Sequence, residues 1–305
     1  MMPRAYVPQA LARQPWQVII PLTMLTVFGG AVLYSAAGGR FQPWAAMHVI
    51  RFFGFLVMAM LLARVPRDWF KRVALPGYVI LCGLLVLVEL IGRIGGGSQR
   101  WLNLGFMTLQ PSELMKPGIV LVLAWFYAML PLNEVRGWRA IVPPLVILAI
   151  PAGLVMLQPD LGTALAISFG ALVMMFIAGL PLWLFISGGI GASIAAPIMF
   201  FFVMHDYQRK RVLVFLDPES DPLGSGYHIT QSKIAIGSGG FLGKGFGNGS
   251  QSHLDYLPEA HTDFVFATMA EEWGMLGGLF VLAVFTVVLS WGLNVAMRAD
   301  RKSVV

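Results

Sequence analysis

An all-α integral membrane protein with eight membrane-spanning helices is the fold class this sequence predicts, and three observations predict it. Of the 305 residues, 57% are hydrophobic and only 12% are charged, about half the charged share of an average soluble protein. Mean hydropathy is +0.75, which leaves too little polar surface for a water-soluble domain of this size. The apolar residues gather in runs near the ~20 residues that a helix needs to cross a bilayer core, without the period-two alternation of barrel strands. Disordered, collagen-like and disulfide-scaffold classes are excluded by the same composition. The sole cysteine, Cys82, lies in the apolar run VILCGLLVLV. It excludes an internal disulfide or a cysteine-built metal site and reads as buried packing.

The runs fall at 16–37, 43–64, 74–93, 114–132, 140–157, 161–181, 183–204 and 266–297. The first is followed by SerAlaAla at 35–37, yet it exceeds the roughly 7–15 residues of a signal-peptide apolar region and reads as a retained helix. The last is longer than one bilayer crossing, so part of it is expected to project or tilt. Eight spans put both ends of the chain on one side. With that side cytoplasmic, the inner segments hold Arg4, Arg13, Arg64, Arg67, Lys71, Arg72, Arg136, Arg139, Arg298, Arg301 and Lys302. The short outer loops hold only Arg40, Arg93 and Arg100, as the positive-inside bias requires. The net charge of +6 is thereby a matter of topology, and no nucleic-acid partner is expected; the lipid bilayer is.

The ionisable residues within or at the ends of the spans are Arg51, Glu89, Glu113, Lys116, Asp160, Glu271 and Glu272. On this topology each falls in the outer half of its helix. Charges at such depth are costly and mark a pathway or a site, unless the side chain snorkels to the interface. Chemistry, if present, faces outward.

A connection spanning 205–262 far exceeds the roughly 12–15 residues beyond which loops are functional or disordered. It holds HisAspTyrGlnArgLysArg at 205–211, a turn cluster at 217–226, an apolar patch at 227–236 and the glycine-dense GSGGFLGKGFGNGS at 237–250. The last fails the P-loop pattern, because Ser238 replaces the first glycine and Gly245 the Ser/Thr. Tight turns are the main expectation for it; backbone amides holding an anionic headgroup are the second. His253 with Asp255, and His261 with Asp263, form HxD pairs that match no standard zinc spacing. Asp263 enters the last span behind Thr262, which is placed to act as N-cap; helix-dipole stabilisation is its bland role. Glu113 and Lys116 stand at i and i+3 on one helix and can pair directly.

Together these segments resemble the SEDS (shape, elongation, division and sporulation) family of peptidoglycan polymerases. The stretches that carry the likeness are QRWLNLGFMTLQPSELMK (99–116), QPDLGTA (158–164), YQRKRVLVFLDPESDPLGSGYHITQSKIAIGSGG (207–240) and YLPEAHTDFVFATMAEEWG (256–274). Their order and spacing extend the resemblance over essentially the whole chain. QSKIAIGSGGFLGKGFGNGSQSHL is more similar to the RodA, or elongation, branch than to the FtsW, or division, branch. The resemblance implies ten spans, so the last two are expected to be missing beyond 298–305. It implies lipid II as substrate and Asp263, in the HisThrAsp motif, as catalytic acid–base residue. It places Glu113, Lys116, Arg209 and Arg100 at the family's motif positions and implies a class B penicillin-binding protein, the transpeptidase, as partner among the membrane proteins of the elongation complex.

Glycan growth needs the 4-hydroxyl of one disaccharide to attack the anomeric carbon of another. A glycoside hydrolase needs two carboxylates because an alkoxide leaves poorly; a lipid diphosphate leaves unprotonated, so one base suffices. Charge developing on the diphosphate would be met by Arg100, Lys116, Arg209, Lys210, Arg211 or a bound Mg²⁺, and Glu113 and His261 are counted with them as substrate-binding residues. Mg²⁺ accompanying the diphosphate is the one cofactor expected. Two readings from other classes fit the same residues: a lipid II flippase, and a non-catalytic scaffold for the penicillin-binding protein. Charges clustered in the outer halves, without matching inner acids or bases, favour the enzyme.

Overall fold

A computed structural model describes residues 14–95, 98–103, 108–131, 134, 137–204, 206–218, 224–254, 256–257 and 259–298. Helices α1 (Trp16–Ala36), α2 (Trp44–Leu62), α3 (Arg67–Ile91), α4 (Pro111–Met129), α5 (Trp138–Leu157), α6 (Leu161–Ile177) and α7 (Leu182–Ile198) come first. Then follow α8 (Asp206–Leu216), α9 (Ser225–Ser238), the single turn α10 (Ser250–His253) and α11 (Val265–Arg298). Seven helices are long and apolar enough to cross a membrane, α7 counting with its π-helical extension to Phe202; α6, at 17 residues, is a shorter apolar helix. The eight runs of the sequence thus correspond to eight apolar helices.

Three features go beyond the sequence reading. The connection at 205–262 contains α8, α9 and α10; its apolar patch at 227–236 becomes α9 and packs Ala235 into a small core with Leu257, Ala260 and Ala267. The all-α class holds, and a small antiparallel sheet of β1 (Arg93–Gly95), β2 (Ser98–Asn103) and β3 (Thr108–Leu109), in that order, is added to it. The run at 266–297 is not one continuous helix: Gly274, with φ 62° and ψ −156°, breaks α11 in a backbone region open essentially to glycine alone.

The described residues divide into two compact units, one made of the chain up to Ala63 with Ile198–Arg298, the other of Arg64–Pro197. In the first, α1 packs on α2 and α11, and α9 packs on α11. In the second, α4 packs on α3, α5 and α6. Met115, Ile119, Val122 and Leu123 of α4 are fully buried against Leu85, Val155, Ile167 and Ala171. Their spacing of three and four residues is one helical face. The opposite faces carry exposed Ile, Leu, Phe and Val throughout α2, α5 and α7, the surface that lipid covers rather than water.

Candidate active site

The turn between α10 and α11 is organised by Glu259. Its backbone lies in the left-handed region, φ 54°, which costs a non-glycine residue about 1–3 kcal/mol and persists only where its surroundings impose it. Its carbonyl accepts from Thr262 N (3.0 Å) and Phe264 N (3.4 Å), and its carboxylate approaches His261 Nε2 at 3.6 Å. The Thr262 hydroxyl donates to the Glu259 carbonyl at 3.4 Å. Thr262 is therefore not the N-cap expected of it, since its side chain points back into the turn. The His261 ring stacks face to face on Trp44, with centroids 4.0 Å apart and planes 5° from parallel.

Asp263 sits on this turn with an exposed side chain. Among the described residues its carboxylate has neither an ion-pair nor a hydrogen-bond partner, and it caps no amide of α11.

Beyond the turn, the first segment of α11 is held by the glycine-dense stretch. Glu271 and Glu272 are 0% and 1% exposed. At the Gly274 break the carbonyls ending one helical segment and the amides starting the next lose their partners. Lys244 N donates to the Glu271 carbonyl (2.9 Å) and Gly245 N to that of Glu272 (3.0 Å). From the other side, Met275 N donates to the Gly240 carbonyl (2.9 Å) and Leu276 N to that of Phe241 (3.3 Å). The loop passes so close that a Cβ on Gly243 would collide with the Glu272 carbonyl. These amides are spent inside the protein, as are those of Gly243 and Asn248, which overturns the headgroup reading at these positions and leaves the turn reading. The Glu271 carboxylate completes the knot, pairing with Lys244 Nζ at 2.6 Å and accepting from Ser250 N and Oγ, both at 2.9 Å, and from Gln251 N at 3.1 Å. The Ser35 hydroxyl donates to Glu272. Lys244, Glu271 and Ser250 were not distinguishable from sequence as partners; the only signal was the unusual glycine density beside Lys244.

The expected substrate-binding residues divide between the units. In the first, Arg209 Nη2 donates to the Phe201 carbonyl at 2.9 Å, with Asp206 at 3.8 Å. Lys210 lies exposed on α8, and the Arg211 side chain is outside the described residues. So are Asp255, the His253 side chain, and Arg4, Arg13, Arg136, Arg301 and Lys302 of the topology argument. In the second unit, Glu113 and Lys116 pair at 2.6 Å on the first turn of α4, with side chains 51% and 37% exposed. Arg100 clamps the α5–α6 corner: Nη1 lies 3.5 Å from Asp160, Nη2 donates to the Pro159 carbonyl at 2.5 Å and Nε to that of Gln158 at 3.3 Å. No group of three or more His, Cys, Asp or Glu among the described residues could hold a metal ion.

The family model described as "Cell cycle protein", FTSW_RODA_SPOVE, matches residues 14–304. The chain belongs to the FtsW/RodA/SpoVE family. It is 42% identical over 300 residues to the peptidoglycan glycosyltransferase MrdB of Escherichia coli K12, the match covering 94% of this chain and 76% of that protein. It is 36% identical to the probable peptidoglycan glycosyltransferase FtsW of Coxiella burnetii, covering 94% and 79%. Its fold is similar to a peptidoglycan synthase complex described for the structural coordination of polymerization and crosslinking. That likeness has a TM-score of 0.78 and 30% identity over 95% of this chain and 80% of that one. The rod shape determining protein RodA of Thermus thermophilus follows at TM-score 0.66 and 27% identity, over 96% and 78%. The SEDS membership read from the motifs is thus established, and the chain is a multi-span membrane protein of that family.

Proposed function

We propose that the chain is a peptidoglycan glycosyltransferase that polymerises lipid II into glycan strands during cell elongation, with Asp263 as general base. The observation that carries this reading is the exposed Asp263 carboxylate, unpartnered among the described residues, on a turn held by Glu259, Thr262 and the Trp44–His261 stack. The names of the relatives supply the reaction class. The acceptor's 4-hydroxyl gives its proton to Asp263 as its oxygen forms the new bond to the donor's anomeric carbon. The anomeric carbon–oxygen bond breaks with inversion, and undecaprenyl diphosphate leaves with the electron pair. Arg209, Lys210 and Arg211 of α8 supply positive charge for the diphosphate, and Lys116, in the other unit, is a separate candidate contact for lipid II. Glu113 holds Lys116 in place, and His261 orients the turn. Mg²⁺ enters this reading only as the diphosphate's counter-ion, and no step depends on a protein-built metal site.

The positive-inside count supports an N-terminus in the cytoplasm, the 205–262 connection outside the bacterial inner membrane, and Asp263 on the outer side. The likeness to a synthase complex supports a class B penicillin-binding protein as partner.

The test is lipid II polymerisation by the reconstituted protein. Asp263→Asn keeps the size of the side chain and removes its basicity; loss of a general base costs about 10²–10⁴-fold in rate. The variant should fold and make no detectable glycan. Near-normal polymer would remove Asp263 as base and favour transport or scaffolding. A reporter fused near residue 250 should read extracytoplasmic, and a cytoplasmic signal there would overturn the topology.

A further inference from the structure

We propose that Trp44 is a positioning residue for Asp263, acting through the ring of His261; the proposal rests on the reading of Asp263 as the base. The turn carrying Asp263 is held from two directions. On the apolar side, Leu257 and Ala260 pack with Phe264 against Ala235 of α9 and Ala267 of α11, and the Thr268 hydroxyl reaches the Ala260 carbonyl at 3.4 Å. These contacts fix the backbone on either side of residues 261–263. On the polar side, Thr262 bonds to Glu259, whose carboxylate lies 3.6 Å from His261 Nε2; Glu259 belongs to the same turn and cannot anchor it externally.

On the polar side the external anchor is Trp44, the first residue of α2. A separation of 4.0 Å with planes 5° apart is full ring contact, not a glancing edge. Such contact prevents the imidazole from tilting and leaves it only sliding in plane, which Glu259 on Nε2 opposes. The His261 side chain is 26% exposed, and the indole covers one face of its ring. A general base must stay within about 2.6–3.2 Å of the hydroxyl it deprotonates, and a misplacement near 1 Å costs on the order of 10²-fold. Holding the side chain two residues before the base is an economical way to meet that tolerance. A stack that served folding alone would leave the chemistry untouched in whatever protein folds.

The experiment measures polymerisation of lipid II by Trp44→Ala, Trp44→Phe, His261→Ala and the Trp44→Ala/His261→Ala pair in the reconstituted full chain. Histidine ring NMR is run in parallel on the Asp263→Asn background. Trp44→Ala should lower kcat by about ten- to a hundredfold while KM stays within about twofold. Trp44→Phe, which keeps a flat ring, should recover most of that loss, and the double variant should be no worse than the worse single. The NMR arm needs no catalysis. One of the five histidines should show ring-current-shielded signals that vanish in Trp44→Ala and persist in Trp44→Phe, whether or not Asp263 proves to be the base. Unchanged turnover in Trp44→Ala, or losses that multiply in the double variant, would overturn the proposal. If Trp44→Ala fails to fold, His261→Ala and Trp44→Phe decide it: full activity in His261→Ala would overturn it equally.

Discussion

The Arg100 corner and the Asp263 turn both place an ionisable residue of a family motif where a loop meets a helix, and they use it in opposite ways. At the corner, Nη1, Nη2 and Nε of Arg100 are all engaged by Asp160 and the carbonyls of Pro159 and Gln158. Asp160 in turn accepts from Thr163 N (3.3 Å) and Oγ1 (2.9 Å) at the start of α6, and Gln158 Nε2 donates to the Leu85 carbonyl at 3.0 Å. The charge there is consumed in shaping the chain. At the turn, Thr262 bonds to Glu259, whose carboxylate lies beside His261, and the adjacent Asp263 is left without a partner among the described residues. Strain and polar groups are spent to present one carboxylate. The acid at the turn is left free, whereas the fully bonded arginine holds shape.

The largest effect should separate these two roles. Asp263→Asn should abolish polymer, by about 10²–10⁴-fold, with an unchanged melting temperature in detergent. Asp160→Asn should do the reverse in kind, lowering the melting temperature because Arg100 loses its counter-charge, with activity per folded molecule largely kept. If Asp160→Asn were silent in stability but inactive, the corner would be a substrate site and the contrast would fail.

Next comes the knot at the broken helix. Removing one partner of a buried pair strands the other and costs about 3–5 kcal/mol. Glu271→Ala should approach that, because Glu271 is 0% exposed and its loss leaves the Ser250 and Gln251 amides unpaired. Lys244→Met should cost less, since Lys244 is 31% exposed and water can reach Glu271 through the gap. Denaturant unfolding of the purified chain measures both; equal losses would show that the ammonium, rather than the amides, carries the knot.

A smaller, sharper pair tests the glycines. Gly243→Ala must hold φ 83° and place its Cβ against the Glu272 carbonyl. Gly247→Ala must hold φ 77° with nothing within 4 Å. Only the first should loosen α11, seen as faster amide exchange at Met275 and Leu276; equal exchange in the two variants would mean that the loop does not support the break.

The spans were legible because lipid leaves a helix no alternative to some twenty apolar residues, and the runs at 43–64 and 140–157 agree with α2 and α5 within a few residues. The broken helix was not legible. A glycine inside an apolar run reads as tolerated, and the segment that bonds its freed carbonyls lies some thirty positions earlier in a stretch that reads only as turns. The Arg100 clamp was half legible: a lone cation at 100 and a lone acid at 160 each end a motif, but their pairing depends on how α5 and α6 fold back. Trp44 carried no signal, because an aromatic residue at the start of a span is the ordinary interfacial anchor. Site chemistry was therefore readable where one residue type is obligatory and unreadable where it depends on a partner remote in sequence.

The smallest effect concerns Glu113 and Lys116, which the sequence suggested as an ion pair at membrane depth. The pair exists at 2.6 Å, but both side chains are more than a third exposed, and Glu113 is also favoured by its place in the first turn of α4. An exposed i, i+3 pair contributes about 0.2–1 kcal/mol, not the several kcal/mol of a desolvated one. Glu113→Gln should therefore barely move the melting temperature. If Lys116 serves the diphosphate, Lys116→Gln should lower kcat/KM for lipid II well beyond that stability change. Swapping the two charges should restore the stability and not the activity. Recovery of activity in the swapped protein would make the pair structural, like the Arg100 corner; a swap that unfolds the chain would show that the pair is desolvated in the membrane after all.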